Sequence, residues 1–145
     1  MTSKPSDPGG ARPLRVLFVC VENSNRSQMA EAFARAIGGD RVEAFSAGSR
    51  PSGRMNPKAI EAMGERGFDL ASHRSKALDE LPAVDFDAVV TLGCGDACPD
   101  VRARVREDWE IPDPRDMAPD EFRGVRDRIE ARVRGLLDRL ASSGR

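Results

Sequence analysis

Residues 20 to 27, CVENSNRS, set a cysteine, five intervening residues, an arginine and a serine in one short stretch. A loop of that length between a strand and a helix lets the backbone N–H groups of Val21 through Arg26 turn inward around one point, and the positive end of a helix starting near Ser27 adds to the same field. A tetrahedral oxyanion fits such a ring. Arg26 brings a planar fork that can bind two equatorial oxygens, a geometry lysine cannot match. Cys20 faces the same positive ring, which favours its thiolate, and the Ser27 hydroxyl can donate to that sulfur. The chemistry expected is attack by sulfur on the central atom of a bound oxyanion, with Val21, Glu22, Asn23, Ser24, Asn25, Arg26 and Ser27 as the binding residues. The plain alternative makes Cys20 a small core residue and Arg26 a surface cap. The complete spacing, in a strand–loop–helix setting, favours the catalytic loop.

Three further positions carry chemistry. Asp113 stands between two prolines in WEIPDPRD, which restrain the backbone and can hold a carboxyl group over a pocket, ready to protonate a departing oxygen; a simple turn aspartate is the alternative. Cys94 and Cys98 lie together in GCGDACPD. Four residues of helix rise about 6 Å, inside the roughly 4.4–6.8 Å between α-carbons that a disulfide tolerates, so this pair can exchange as a disulfide. Gly93, Gly95 and Pro99 argue against a committed regular structure there, as a moving shuttle needs. Two buried structural thiols are the alternative. A zinc site would need Cys20, Cys94, Cys98 and His73, the single histidine, and would tie up the nucleophile.

These residues need elements to position them. Leu14 to Val19 is a short apolar run typical of a strand buried on both faces, with Cys20 at its carboxyl end. Met29, Ala30, Phe33, Ala34 and Ile37 follow at helical spacing until Gly38 and Gly39 stop the helix. RVEAFSAG reads as a second strand ending at Gly48, and Pro57 opens a helix with Ile60 and Met63 on one face and Gly67 closing it. FDAVVTLG, residues 86–93, is another buried strand, and its end carries the Cys94 loop. From Asp120, the residues Phe122, Val125, Ile129, Val133, Leu136, Leu137 and Leu140 form the stripe of an amphipathic helix. Strands alternating with helices imply an α/β domain with a parallel sheet covered on both faces and ligands outside the carboxyl ends of the strands.

Composition bounds the partners. The 145 residues suit one domain, with residues 1–12, rich in Pro, Gly and charge, expected as a disordered lead-in to a domain over 13–145. Lys and Arg number 23 against 24 Asp and Glu, a net charge of -1, so neither nucleic acid nor an anionic membrane is an expected partner. No apolar run suits a signal peptide or a membrane span, and a cytoplasmic monomer is expected. Three cysteines, an odd count, fit reduced thiols better than disulfide staples.

VLFVCVENSNRSQMAEAF resembles the phosphate-binding loop and first helix of the low-molecular-weight protein tyrosine phosphatase superfamily, and SQMAE resembles its arsenate reductase branch. The likeness runs on through FSAGSRPSGRMNPKAIEAM, DAVVTLGCGDACP, EDWEIPDP and the final helix. It implies a four-stranded parallel sheet with helices on both faces, Cys20 as nucleophile, Arg26 as oxyanion ligand, Asn23 as the residue that shapes the loop and Asp113 as general acid. Arsenate or phosphate is then the ligand. A phosphatase needs only water to release its intermediate, whereas a reductase needs electrons: Cys94 attacks the Cys20 sulfur, Cys98 attacks Cys94, and thioredoxin or another dithiol reduces the exported disulfide. Asn25 stands where many similar reductases carry cysteine, and Glu22 where a glycine is common. Relatives that hold potassium near the loop have small or acidic side chains after the segment matching ASH. Arg74 and Lys76 stand there, so no bound potassium is expected, and the reading calls for no other metal and no cofactor.

Overall fold

A computed structural model of the chain describes residues 12–93 and 101–142. The first residues of the expected lead-in, 1–11, and the predicted Cys94–Cys98 shuttle lie outside the described residues. In chain order the elements are β1 (Leu14–Cys20), α1 (Arg26–Gly38), β2 (Val42–Gly48), α2 (Pro57–Gly64), β3 (Phe86–Thr91), β4 (Ala103–Asp108) and α3 (Pro119–Ser142), with short 3-10 turns at 39–41, 70–72 and 78–80. The four strands form one sheet in the order β2-β1-β3-β4, and every neighbouring pair is parallel. The carboxyl ends of β1, β2 and β3 therefore open at one edge of the sheet, with Cys20 aligned with Gly48 and Val19 with Thr91.

Parallel strands buried on both faces explain the apolar runs. Val16 and Phe18 of β1 pack with Ala88 and Val90 of β3 against α1, α2 and α3, while Leu17 and Val19 pack on the opposite face with Phe86, Val89, Leu78 and Leu81. Among the described residues that second face is covered by the segment carrying the 78–80 turn, and the α-helices lie on the first. All seven stripe residues expected of the last helix are buried along α3. Each such side chain contributes about 1.5–3 kcal/mol on leaving water, so α3 is held by its stripe rather than by its charged face. α2 stops earlier than its sequence suggests, at Gly64, and Gly67 follows with φ +87°.

Residue patterns alone found three strands; β4 is the fourth. Its exposed positions alternate, with Arg104, Arg106 and Asp108 outward, as suits an edge strand paired only with β3. The arginines hide the strand in a hydropathy reading. One of them has structural work: Arg104 Nη1 donates to Asp87 Oδ1 at 3.1 Å, and Oδ2 of the same buried carboxylate accepts from Arg12 Nη1 at 2.9 Å and from the Arg15 backbone N–H at 2.8 Å. Asp87 thereby ties β1, β3 and β4 together at the amino ends of the strands, the edge away from Cys20. Burial pushes its carboxyl group up, and the donors from Arg12, Arg15 and Arg104 outweigh that and leave the pKa below the ordinary value.

A carboxyl group depressed in the folded state stabilises fully above its unfolded pKa, and that contribution is lost as pH falls through the folded value. Thermal melts across the acid range are expected to show Asp87→Asn less stable than the parent at neutral pH, by about 1.5–3 kcal/mol, with the gap closing as pH drops. A constant gap would contradict this role.

Candidate active site

Gly48, at the end of β2, leaves no room for a side chain: a Cβ there would lie 2.4 Å from Val21 O and 2.9 Å from Asn23 N. The loop after β1 is seated directly on that glycine. Its carbonyl groups are taken from outside. Val21 O accepts from Arg50 N at 2.8 Å, Glu22 O from Ser52 N at 3.1 Å and Ser75 Oγ at 2.8 Å, and Ser24 O from Asn56 N at 3.0 Å. Every peptide among the described residues is trans, so each outward carbonyl sends the following N–H the opposite way. The amides of Glu22, Asn23 and Asn25 thus face the loop's interior, three of the six N–H groups expected there from Val21 through Arg26.

Asn23 bends the loop. It adopts φ +51°, a left-handed conformation that asparagine tolerates better than most residues, and it is fully buried. Asn23 Oδ1 accepts from the Lys76 backbone N–H at 2.7 Å and from Gln28 Nε2 at 2.8 Å. Those two bonds fix which end of the carboxamide is which, and Nδ2 donates to Ser27 Oγ at 2.8 Å. Ser27 Oγ lies 2.9 Å from Cys20 Sγ. Because the Ser27 oxygen is already accepting from Asn23, its one hydrogen is left for the sulfur. The chain of bonds from Asn23 through Ser27 therefore stabilises a thiolate on Cys20, which is 3% exposed.

A second network lies behind the first. Gln28 Nε2 also donates to Arg74 O at 2.9 Å, so Gln28 Oε1 faces His73 Nδ1 at 2.9 Å and accepts from it. Burial, joined by Arg35 and Lys76 and opposed by Glu31 and Asp69, lowers the His73 pKa and so disfavours the charged ring. Buried Glu31 accepts from Ser46 Oγ and pairs with Arg35, and Lys76 Nζ stands 3.8 Å from Glu31 Oε1 and 3.4 Å from Ser46 Oγ. Burial lowers the Lys76 pKa, with Glu31 opposing. The negative charge of Glu31 is countered by side chains of the chain itself, so these residues do not fit a resident potassium ion.

Arg26 begins α1 and is 8% exposed. Its Nη1 donates to Ile111 O at 2.7 Å, which fixes the guanidinium plane while Nη2 and Nε remain for a ligand. Gly93 packs on this arrangement with φ +73°; a Cβ would lie 2.8 Å from Arg26 Nη1 and 3.1 Å from Ile111 O. Trp109 and Ile111 are each 2% exposed and anchor the segment that carries Asp113. Trp109 packs on Phe18 with ring centroids 6.0 Å apart, and its backbone N–H donates to Thr91 O at 2.8 Å.

These parts converge on one pocket of about 170 Å³, lined by Cys20, Val21, Glu22, Ser24, Asn25, Arg26, Asn56, Asp113 and Arg115. Of the residues singled out from the sequence, Asn23 and Ser27 stand behind the lining, and Cys94 and Cys98 lie outside the described residues. Arg115 and Asn56 were not foreseen. Arg115 joins the two lips: its Nη1 is 3.3 Å from Glu22 Oε2, its Nη2 is 3.6 Å from Asp113 Oδ2, and its backbone N–H donates to Asp113 Oδ1 at 3.0 Å. All three side chains are 40% exposed or more, so these ion pairs contribute only about 0–1 kcal/mol and leave the lip adjustable. No aromatic residue is among the lining residues.

Residues 15–145 match the family model of the low molecular weight phosphotyrosine protein phosphatases. A glutaredoxin arsenate reductase of Synechocystis sp. is 38% identical over 130 residues, covering 88% of this chain and 98% of the relative. A solved arsenate reductase in the phosphate binding state superposes with a TM-score of 0.80 at 38% identity, covering 88% of this chain and 98% of its own. The Corynebacterium glutamicum thioredoxin-dependent arsenate reductase gives a TM-score of 0.75 at 32% identity, covering 93% of this chain and 65% of its own.

Two outcomes test the geometry. Ser27→Ala is expected to slow alkylation of Cys20 by iodoacetamide several-fold at mildly acidic pH, read by peptide mapping, because the sulfur loses its donor. Gly93→Ala forces a strained φ and displaces the Arg26 guanidinium; phosphate affinity measured by calorimetry is expected to fall about tenfold, and an unchanged affinity would separate Gly93 from the site.

Proposed function

The chain belongs to the low molecular weight phosphotyrosine protein phosphatase family, and from that premise we propose that it reduces arsenate to arsenite with thiols as the source of electrons. One observation carries the reading beyond family membership. Gly93, the residue immediately before Cys94, packs against the Arg26 guanidinium, so the chain enters its second cysteine segment from beside the group that grips the oxyanion. A phosphatase needs no second thiol after that strand. The lack of an aromatic lining residue supports the same choice, since an aryl ester would find no ring to stack on.

The steps follow from the residues. Arsenate enters the amide ring and Arg26 binds its equatorial oxygens, while the Asn23–Ser27 bonds hold Cys20 as thiolate. Cys20 sulfur attacks arsenic; an arsenic–oxygen bond breaks and the oxygen leaves as water with a proton from Asp113. A Cys94 thiolate then attacks the Cys20 sulfur. The sulfur–arsenic bond breaks with its electron pair going to arsenic, which leaves as arsenite, and Cys20 and Cys94 are joined as a disulfide. Cys98 thiolate attacks Cys94, returning Cys20 as thiolate and leaving a Cys94–Cys98 disulfide. An external dithiol, glutaredoxin or thioredoxin in type, takes that disulfide apart. Two thiols supply the two electrons that arsenic gains.

The same cradle accepts phosphate and supports weak phosphomonoester hydrolysis through Cys20, Arg26 and Asp113. Action in the cytoplasm as a monomer fits a thiol-based relay. No helix among the described residues is long and apolar enough to cross a membrane.

Cys94→Ser is expected to abolish multiple-turnover arsenate reduction while leaving slow hydrolysis of p-nitrophenyl phosphate. Sustained arsenate reduction by that variant would remove the relay. Assays with thioredoxin and with glutaredoxin plus glutathione are expected to show one donor sustaining turnover over the other.

A further inference from the structure

Asn25 is the N-cap residue of α1, where an asparagine side chain ordinarily accepts from an N–H of the first turn, yet it makes no such bond. It is 6% exposed and lines the pocket. Neither Nδ2 nor Oδ1 has a hydrogen-bond partner among the described residues. A buried carboxamide with both ends unpaired is a costly arrangement, and rotating it by half a turn leaves the same unmet donor and acceptor.

Apart from the Cys20 sulfur, aimed at the central atom, and the Ser24 hydroxyl, which donates as readily as it accepts, the rest of the cradle offers hydrogens only. Backbone N–H groups and the Arg26 guanidinium have no acceptor to give. At the lip, Glu22 and Asp113 are engaged by Arg115, and Asp113 in its acid role gives a hydrogen rather than accepting one; Asn56 Oδ1 accepts from Lys58 N at 2.8 Å. A tetrahedral dianion whose cradle oxygens are all bare is satisfied by donors alone. Free arsenate and free phosphate are different, because near neutral pH at least one of their oxygens carries a hydrogen that itself needs an acceptor. A phosphate ester dianion has no such hydrogen, and neither has sulfate.

We propose that Asn25 is a specificity-determining residue of this pocket: its Oδ1 accepts the hydroxyl of a hydrogen-bearing inorganic oxyanion while its Nδ2 donates to a neighbouring oxygen. The inference rests on the reductase reading in one respect, that the physiological ligand is a free oxyanion rather than an ester. An oxyanion without a hydrogen leaves Oδ1 unpaired and facing a negative oxygen, so the pocket selects against it. Asparagine suits the task because it brings an acceptor without the charge of aspartate, which would repel the dianion.

Inorganic phosphate and sulfate are the probes, since both are tetrahedral and neither is turned over. Calorimetric titration of the full reduced chain is expected to show phosphate bound at least about tenfold more tightly than sulfate. Asn25→Ala and Asn25→Leu, the second close in volume and without polar atoms, are expected to bring the ratio below about threefold, chiefly by weakening phosphate. Parity in the parent chain overturns the proposal, and so does a folded variant that keeps the parent's ratio; thermal melts report folding, and with two variants of different size a failure of one leaves the other decisive. An arsenate reduction assay on the parent separates the two readings. Discrimination without arsenate turnover would sink the reductase reading and leave Asn25 in its role, whereas turnover without discrimination would do the reverse.

Discussion

The outward turn of three loop carbonyls is the constraint on which the rest of this molecule depends. Main-chain groups cannot be left unpaired in a protein interior. Once Arg50, Ser52, Ser75 and Asn56 have claimed the oxygens of Val21, Glu22 and Ser24, the planarity of the peptide sends the intervening hydrogens to the other side. The loop interior is then lined by main-chain N–H groups, with the Arg26 guanidinium beside them. Its field comes from fixed dipoles and the start of α1, and those do not have to reorganise when charge moves on the bound ion.

Holding such a loop takes support from every neighbouring element. β2 ends in Gly48 because the loop backbone occupies the space of a side chain there, and β3 runs into Gly93 because Arg26 and Ile111 occupy it at the other side. Trp109 and Ile111, buried just beyond β4, fix the segment that brings Asp113 to the lip. Bringing the Cys20 loop and the Asp113 segment to one edge is a property of parallel strands. Their carboxyl ends all open the same way, and the loops leaving them have no other place to meet.

Electrostatic support is graded from inside to outside. Behind the loop, buried Glu31 and Ser46 are held by partly buried Lys76 and by Arg35 from the surface, and Gln28 carries the hydrogen bonds from His73 to Asn23. At the mouth, Glu22, Arg115 and Asp113 are joined by exposed ion pairs that salt and solvent weaken. The part held by buried hydrogen bonds therefore lies behind the Cys20 sulfur. The adjustable part lies where ligands enter and leave.

Local sequence encodes the loop, the strand before it and the helix after it in consecutive residues: an apolar run, a fixed cysteine-to-arginine spacing, a period of 3.6. It also placed Asp113 and the α3 stripe, and the likeness to a known superfamily supplied the fourth strand that local pattern missed, since β4 alternates with arginine and has no apolar run to show. Other features depended on residues far apart in the chain. Nothing local says that Arg115 will meet Glu22, that Lys76 will lean on Glu31, or that Asp87 will gather Arg12 and Arg104. Nor does the sequence say that Asn25, at a position where asparagine normally caps a helix, will leave its carboxamide unpaired beside the pocket. Spacing specifies backbone conformation over a few residues, whereas partners and unmet hydrogen bonds exist only after the sheet has brought distant segments within reach.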